Sequence, residues 1–259
     1  MSRDIWDSAQ YQRYTGHRSR PFFDLLQAVG ASHPASVVDL GCGPGNLTAT
    51  LAERWPQAAV LGVDLSAGML AAAQEHAVPG RVEFVRGDLR EWVPEAPVDV
   101  MVSNAALQWV PDHRTLLARW VARLNPEGWF AFQVPGNLSA PSHAILREVC
   151  NLPEWRTQVG GILRPDWIAT PEQYLEDLIG LGCTADVWET TYLQVLPGED
   201  PVLDWVKGTA LRPVLDALAP ADQESLLATY RARLREVYPR RSWGTVFPFR
   251  RVFAVAQRR

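Results

Sequence analysis

Residues 37–46 read VVDLGCGPGN: an apolar, β-branched run meets an acid at Asp39, and glycines follow at 41, 43 and 45. The run is short and apolar, like a strand buried on both faces of a parallel sheet. Glycine tolerates positive φ and lets a ligand touch the backbone directly. A loop that gives up side chains at alternate positions is a tight strand-to-helix turn, a ligand cradle, or both.

Working outward, strands and helices alternate. Asn46 can cap a helix carrying Leu47, Leu51 and Trp55 on one face. AVLGVD (59–64) reads as a second strand, and Ser66 can cap a helix with Met69 and Ala73. VEFVRGD (82–88) and VDVMVSN (98–104) follow as strands three and four. Pro111-Asp112 opens a helix predicted to carry Leu116, Leu117, Trp120, Val121 and Leu124. Asn125-Pro126-Glu127-Gly128 reads as a turn before a fifth strand, WFAFQV (129–134). Such alternation builds a parallel sheet with helices on both faces. Beyond Val134 the pattern changes. Segments 138–178 and 199–239 read as helices interrupted by prolines, separated by a sixth strand over 185–196. A last strand is expected over 246–256. The helical inserts are candidates for a lid.

The chain of 259 residues carries a net charge of −4, so no general attraction to nucleic acid is expected. Lys207 is the one lysine, and arginine supplies the remaining basic charge. Cys42, Cys150 and Cys183 are too widely spaced for a CxxC motif or a disulfide framework. No apolar run approaches the roughly 20 residues of a membrane helix, and the polar N-terminus lacks an apolar signal core. A cytoplasmic location is the expectation. No histidine has a metal-ligand companion at useful spacing, so no metal is expected.

In a doubly wound sheet, ligands bind beyond the C-terminal ends of the strands. Acids recur there. Asp64 ends the second strand, 23 positions after Gly41, where a carboxylate can accept both hydroxyls of a ribose. Asp88 ends the third, where it can accept from an adenine amino group while the Leu89 N–H donates to a ring nitrogen. Together they describe an adenosine site. No lysine follows the glycines, which excludes a phosphate-binding P-loop. The GxGxG spacing, with Pro44 inside it and Asn46 in place of a third glycine, weakens a nicotinamide dinucleotide without naming a replacement.

The set VVDLGCGPGN, VLGVDLS, VEFVRGDL, DVMVSNAALQWV and LNPEGWFAFQV, covering about 35–135, resembles the class I S-adenosylmethionine-dependent methyltransferases. The resemblance implies a Rossmann-like, doubly wound sheet of seven strands with the last antiparallel, in a single methyltransferase domain with helical lid insertions. It implies that Gly41 and Gly43 approach the methionine part, Asp64 holds the ribose and Asp88 meets adenine. Leu65, Met69 and Leu89 would line the nucleoside, and Asn104 and Ala105 the methionine end.

RSRP (18–21), RWP (54–56), LQWVPDH (107–113), ETTY (189–192), DWV (204–206), GTALRP (208–213) and FRRVFAVA (249–256) extend the resemblance almost end to end. They are similar to a family in that class that esterifies one carboxylate of a small tricarboxylic acid such as trans-aconitate. The chemistry is compatible. A free carboxylate, with a pKa of about 4, is already an anion at neutral pH and needs no base. Such an enzyme works by holding the oxygen roughly 3 Å from the methyl carbon, in line with the bond to break. No His–Asp or Lys–Glu pair stands out, so no catalytic base is assigned. Arginine pairs with carboxylates in bidentate fashion, which makes Arg18, Arg20, Arg212 and Arg251 the candidates for the substrate. Tyr192 is a candidate hydroxyl donor, and Trp109 a candidate pocket wall. The resemblance implies an N-terminal segment, with Tyr11 and Tyr14, that can fold over the cofactor, and the spacing of the two tyrosines equally fits one face of a helix packed on the domain; His17 and His143 read more as structural polar groups. The rival readings are another small acid or hydroxylated metabolite on the same cofactor domain, and a nicotinamide-dependent oxidoreductase.

Overall fold

A computed structural model describes residues 15–163 and 167–259 of the chain, with side chains described from residue 19 onward. Seven strands form one sheet: β1 (Ser36–Leu40), β2 (Ala59–Asp64), β3 (Val82–Arg86), β4 (Val98–Asn104), β5 (Leu124–Pro135), β6 (Cys183–Leu196) and β7 (Thr245–Arg258). Their order is β3-β2-β1-β4-β5-β7-β6. The first five pair in parallel, and β7 pairs with β5 antiparallel. This is the mixed sheet expected of a Rossmann-like methyltransferase fold.

The helices are α1 (Thr15–Gln27), α2 (Asn46–Arg54), α3 (Ala67–Ala73), α4 (His113–Val121), α5 (Pro141–Cys150), α6 (Arg156–Val159), α7 (Pro171–Gly180), α8 (Pro201–Lys207), α9 (Arg212–Asp216) and α10 (Pro220–Val237). Ser66 caps α3 as expected, accepting from the Met69 N–H at 3.2 Å. Asn46 does not cap α2. The cap is Gly45, in the left-handed region at φ 78°, whose carbonyl takes the first helical hydrogen bond from Ala49. The turn bends sharply enough at the glycine that the helix begins one residue earlier than a side-chain cap would allow.

Leu124 also departs from expectation: it belongs to β5, not to α4. The chain leaves the helix at Val121, and Leu124 pairs with Val98. The expected turn at 125–128 is absorbed into that strand as an irregularity. The register shifts between Val98 and Val100, and Glu127 takes φ 63°. A bulge of this kind turns a strand without ending it.

Two compact units divide the described residues. The first holds residues up to Pro135, with Trp167–Thr190 and Arg251–Arg259; the second holds the rest. In the first unit β1, β4 and β5 are apolar and buried on both faces, which their near-continuous hydrophobic runs require. Trp120, Phe130, Phe132 and Tyr174 form an aromatic row with centroid separations of 5.9, 5.4 and 5.1 Å. Each such pair contributes about 0.5–1.5 kcal/mol beyond area burial. Helix α7 groups with this unit: its Asp177 accepts two hydrogen bonds from Arg114 of α4 at 2.7 and 2.9 Å. In the second unit the start of α5 is pinned by two tyrosines. Tyr238 Oη accepts from the Ser142 N–H at 3.1 Å, and Tyr230 Oη donates to the Ser142 carbonyl at 2.8 Å.

Candidate active site

The parallel register brings the strand tips to one edge. Leu40 pairs with Val63, so Gly41 and Asp64 lie at the same level on β1 and β2. Asp64 pairs with Arg86, two residues before Asp88, and Asn104 pairs with Gln133. In the order of the sheet, Asp88, Asp64, the glycine loop and Asn104 therefore follow one another across four neighbouring tips.

The three loop glycines have three different jobs. All are in the left-handed region, at φ 80°, 56° and 78° for Gly41, Gly43 and Gly45. A Cβ on Gly41 would stand 2.2 Å from the Ala106 Cβ, so Gly41 lets the turn after β4 pack on the loop. A Cβ on Gly45 would meet Phe84 at 2.8 Å and Ala73 at 2.9 Å, so Gly45 serves packing against β3 and α3. A Cβ on Gly43 would meet no atom of the described residues within 4 Å. Of the three, Gly43 has the open face that a ligand can approach.

Asp64 braces that face. Its Oδ2 accepts the Gly43 N–H at 2.9 Å and its Oδ1 accepts the Ser66 N–H at 2.9 Å. A carboxylate has about four acceptor directions, so two remain for paired hydroxyls. Asp88 is held by Arg90. It accepts from the Arg90 backbone N–H at 3.0 Å and from its guanidinium, and that hydrogen-bonded pairing holds the Asp88 carboxyl below its ordinary value. Arg90 is exposed, so its side chain can release an oxygen. Met69 and Leu89 are buried at the same edge, whereas Leu65 is half exposed.

Asp39 sits beneath the loop, almost wholly buried, accepting from Thr48 Oγ1 at 2.6 Å. Burial pushes its carboxyl up to about 7; the Thr48 bond opposes the shift and the Asp64 charge adds to it. Cys42 is buried, and burial drives its thiol far upward, with the charges of Asp39 and Asp64 adding to the effect. A thiol that resists ionisation is no nucleophile.

Around the turn after β4 the structure adds two polar groups, Gln108 and Gln133, to the expected Asn104, Ala105 and Arg251. Ala105 takes φ 52°, a strained value for a residue with a Cβ. Gln108 Nε2 donates to the Ala105 carbonyl at 2.5 Å, while Gln108 Oε1 is buried and has no hydrogen-bond partner among the described residues. Asn104 Oδ1 accepts from Gln133 Nε2, and Gln133 Oε1 in turn accepts from Arg251 Nη1 at 2.9 Å. Gln133 and Arg251 are buried. Gln133 stands in the apolar run WFAFQV, and a polar side chain inside a doubly buried strand must find a partner there. That was the available signal.

The expected substrate residues fall in different places. In the first unit, Arg251 is only 3% exposed and committed to Gln133, Arg20 is exposed on α1 with Asp24 3.6 Å away, and Trp109 is half-buried in the short 3₁₀ turn Leu107–Trp109. In the second unit, Tyr192 is buried on β6 and Arg212 is partly buried at the start of α9. Arg18, His17, Tyr11 and Tyr14 lie outside the residues whose side chains are described. His143 lies 3.1 Å from Ser142 Oγ through Nδ1; burial, with the charge of Arg147, holds its ring down at about 4, so it is neutral at physiological pH. Among the described residues no group of three His, Cys, Asp or Glu is placed to hold a metal, and no helix is long and apolar enough to cross a membrane.

A methyltransferase-domain family matches residues 37–128. The trans-aconitate 2-methyltransferase of Streptomyces avermitilis is 54% identical, over 98% of this chain and 97% of its own. The protein of that name from Streptomyces coelicolor is 53% identical, over 98% and 86%, and the one from Mycobacterium tuberculosis 44%, over 98% and 97%. Among solved structures, the YcgJ protein of Bacillus subtilis superposes with a TM-score of 0.59 at 16% identity, over 94% of this chain and 99% of that one. A Haemonchus contortus phosphoethanolamine N-methyltransferase 2, solved with S-adenosylhomocysteine, gives 0.55 at 19% identity, over 93% and 53%. At these identities the structural matches speak for the fold alone.

Proposed function

The chain belongs to the trans-aconitate 2-methyltransferase family, and from that premise we propose that it transfers a methyl group from S-adenosylmethionine to one carboxylate of trans-aconitate. The products are a monomethyl ester and S-adenosylhomocysteine. The observation that carries the cofactor reading is the open face of Gly43 beside Asp64, with Asp88 at the neighbouring tip. The substrate reading rests on near end-to-end similarity to relatives of that name.

The residues fit the cofactor. Asp64 keeps two acceptor directions for a ribose, Asp88 is the acceptor for the adenine amine, and Met69 and Leu89 offer apolar surface to the base. Leu65, half exposed, gains cover when the nucleoside lies over it. Gly41, Gly43, Asn104 and Ala105 form the methionine end. When bound, the cofactor supplies a methyl group activated by attachment to a positively charged sulfur.

The chain's own task is then to hold an oxygen that is already anionic. No general base is required of it, and its contribution is orientation and exclusion of water. The resemblance makes Arg18, Arg20, Arg212 and Arg251 the candidates for binding the carboxylates, and Tyr192 and Trp109 the candidates for further contacts. Arg251 has a second part to play: buried against Gln133, it supports the β4–β5 tips as well as presenting positive charge near them. The whole chain is read as one methyltransferase domain, with a cofactor core over about 35–135 and helical lid segments read over about 138–178 and 199–239, of which α7 groups instead with the unit that holds the core. A cytoplasmic location goes with a small metabolite as substrate.

The test is direct. Purified protein, labelled S-adenosylmethionine and a panel of mono-, di- and tricarboxylic acids are incubated, and the products are treated with mild base. A base-labile methyl ester on trans-aconitate is the expected result. Transfer to no di- or tricarboxylate would overturn the acceptor assignment.

A further inference from the structure

The turn Ala105–Trp109 carries one buried acceptor that the interactions of the fold leave over. Gln108 faces the backbone with one end of its amide and something else with the other. Which end is which follows from the bond it makes: the Ala105 carbonyl can only accept, so the group 2.5 Å from it is the Nε2 donor. Oε1 then points the other way, buried, with no partner among the described residues. A buried carbonyl oxygen left unpaired is costly, and folds rarely keep one without a use.

The surroundings narrow what can satisfy it. The neighbouring acceptor, Asn104 Oδ1, already receives the Gln133 amide. Ala106 of the same turn is where a Cβ on Gly41 would collide, so the turn packs directly on the glycine loop. Across the sheet tips, Asp88 is on the β3 side, Asp64 on β2, the loop on β1, and Gln108 follows β4. The reading proposed above places adenine at Asp88 and ribose at Asp64, and this inference rests on it. The same line then runs toward the amino-acid end of the cofactor. Oε1 is an acceptor, so it repels the carboxylate of that end and the anionic substrate alike. The donor still unassigned on the cofactor is its α-ammonium.

We infer that Gln108 is a cofactor-binding residue with two functions: Nε2 holds the strained Ala105 in place, and Oε1 accepts a hydrogen bond from the α-ammonium of S-adenosylmethionine. One amide thereby couples the geometry of the turn to recognition of the amino-acid end. Loss of the acceptor weakens ligands that carry the amine and leaves a ligand without it nearly unaffected.

The experiment is a binding cycle by titration calorimetry on the full chain. S-adenosylhomocysteine and its deaminated analogue, in which hydrogen replaces the α-amino group, are titrated into wild type, Gln108→Met and Gln108→Glu, with thermal melts to check folding. Wild type is expected to prefer the amine by about tenfold or more, the scale of a hydrogen bond to a charged group. Gln108→Met should remove most of that preference. Gln108→Glu, which keeps an acceptor and adds charge while losing the donor to Ala105, should keep or widen it. The same preference in Gln108→Met as in wild type overturns the inference. If Gln108→Met does not fold, Gln108→Glu decides: a kept or wider preference supports the role, a lost one overturns it. A wild-type chain that binds neither ligand overturns the cofactor reading itself, and this inference with it.

Discussion

Replacing Gly43 with alanine separates ligand approach from loop geometry. At φ 56° an alanine pays for the left-handed conformation, which costs about 1–2 kcal/mol. Packing adds nothing to that cost, because its Cβ would meet no atom of the described residues within 4 Å. For a chain of this size that loss lowers Tm by about 2–8 °C. Gly41→Ala carries the same conformational cost, and its Cβ would also lie 2.2 Å from Ala106, far inside van der Waals contact, so it should lose much more stability. The order reverses in function. The methyl group of Gly43→Ala projects into the face the cofactor must approach, and affinity for S-adenosylhomocysteine should fall by about tenfold or more, equivalent to about 1.4 kcal/mol. Differential scanning fluorimetry reads the first quantity and titration calorimetry the second. A Gly43→Ala protein that binds S-adenosylhomocysteine as well as wild type would refute the assignment of that open face to the cofactor. A Gly41→Ala protein as stable as Gly43→Ala would show that the packing argument for the loop is wrong.

Asp64→Ala removes the acceptor for the Gly43 and Ser66 N–H groups and the proposed ribose contact; cofactor affinity should fall about tenfold or more, and unchanged affinity in calorimetry would remove Asp64 from that role. Asp39 should make stability pH-dependent with a definite sign: burial raises its folded-state value from 3.8 to about 7, so its contribution is complete below pH 3.8 and is lost as pH rises through about 7. Asp39→Asn, which keeps an acceptor for Thr48, should flatten the melting temperature over that window, and a wild-type slope in the variant would contradict the buried, proton-binding carboxyl. Gln133→Leu strips Arg251 Nη1 and Asn104 Oδ1 of a partner in the interior and should lower stability by about 1–3 kcal/mol; urea unfolding with an unchanged midpoint would show that these groups find other partners.

Much of the strand framework that carries the candidate site is legible in the sequence. Strands two and four were placed to the residue, because continuous apolar runs bounded by Gly, Asp or Asn are local signals. Asp64 and Asp88 stood out because acids at the ends of two such runs have no role in a core. The errors were local too. Asn46 is a residue type that caps helices, but Gly45, in a conformation side chains avoid, takes the position. Leu124 followed a helical spacing that the bulged start of β5 overrode.

Pattern along the chain determined the alternation of strands and helices, the glycine loop and the acids at the strand tips, since each depends on neighbours a few residues away. Tertiary structure alone decided that the three glycines serve different purposes, that Arg251 is buried against Gln133, and that Gln108 is left with a buried acceptor. Those outcomes depend on which strand lies beside which. Gly41 meets Ala106 only because β1 pairs with β4, and Gln133 reaches Arg251 only because β5 pairs with β7. Contacts between residues 65 positions apart (106 − 41) or 118 apart leave no periodic trace in a sequence; they are set by which strands the sheet places side by side.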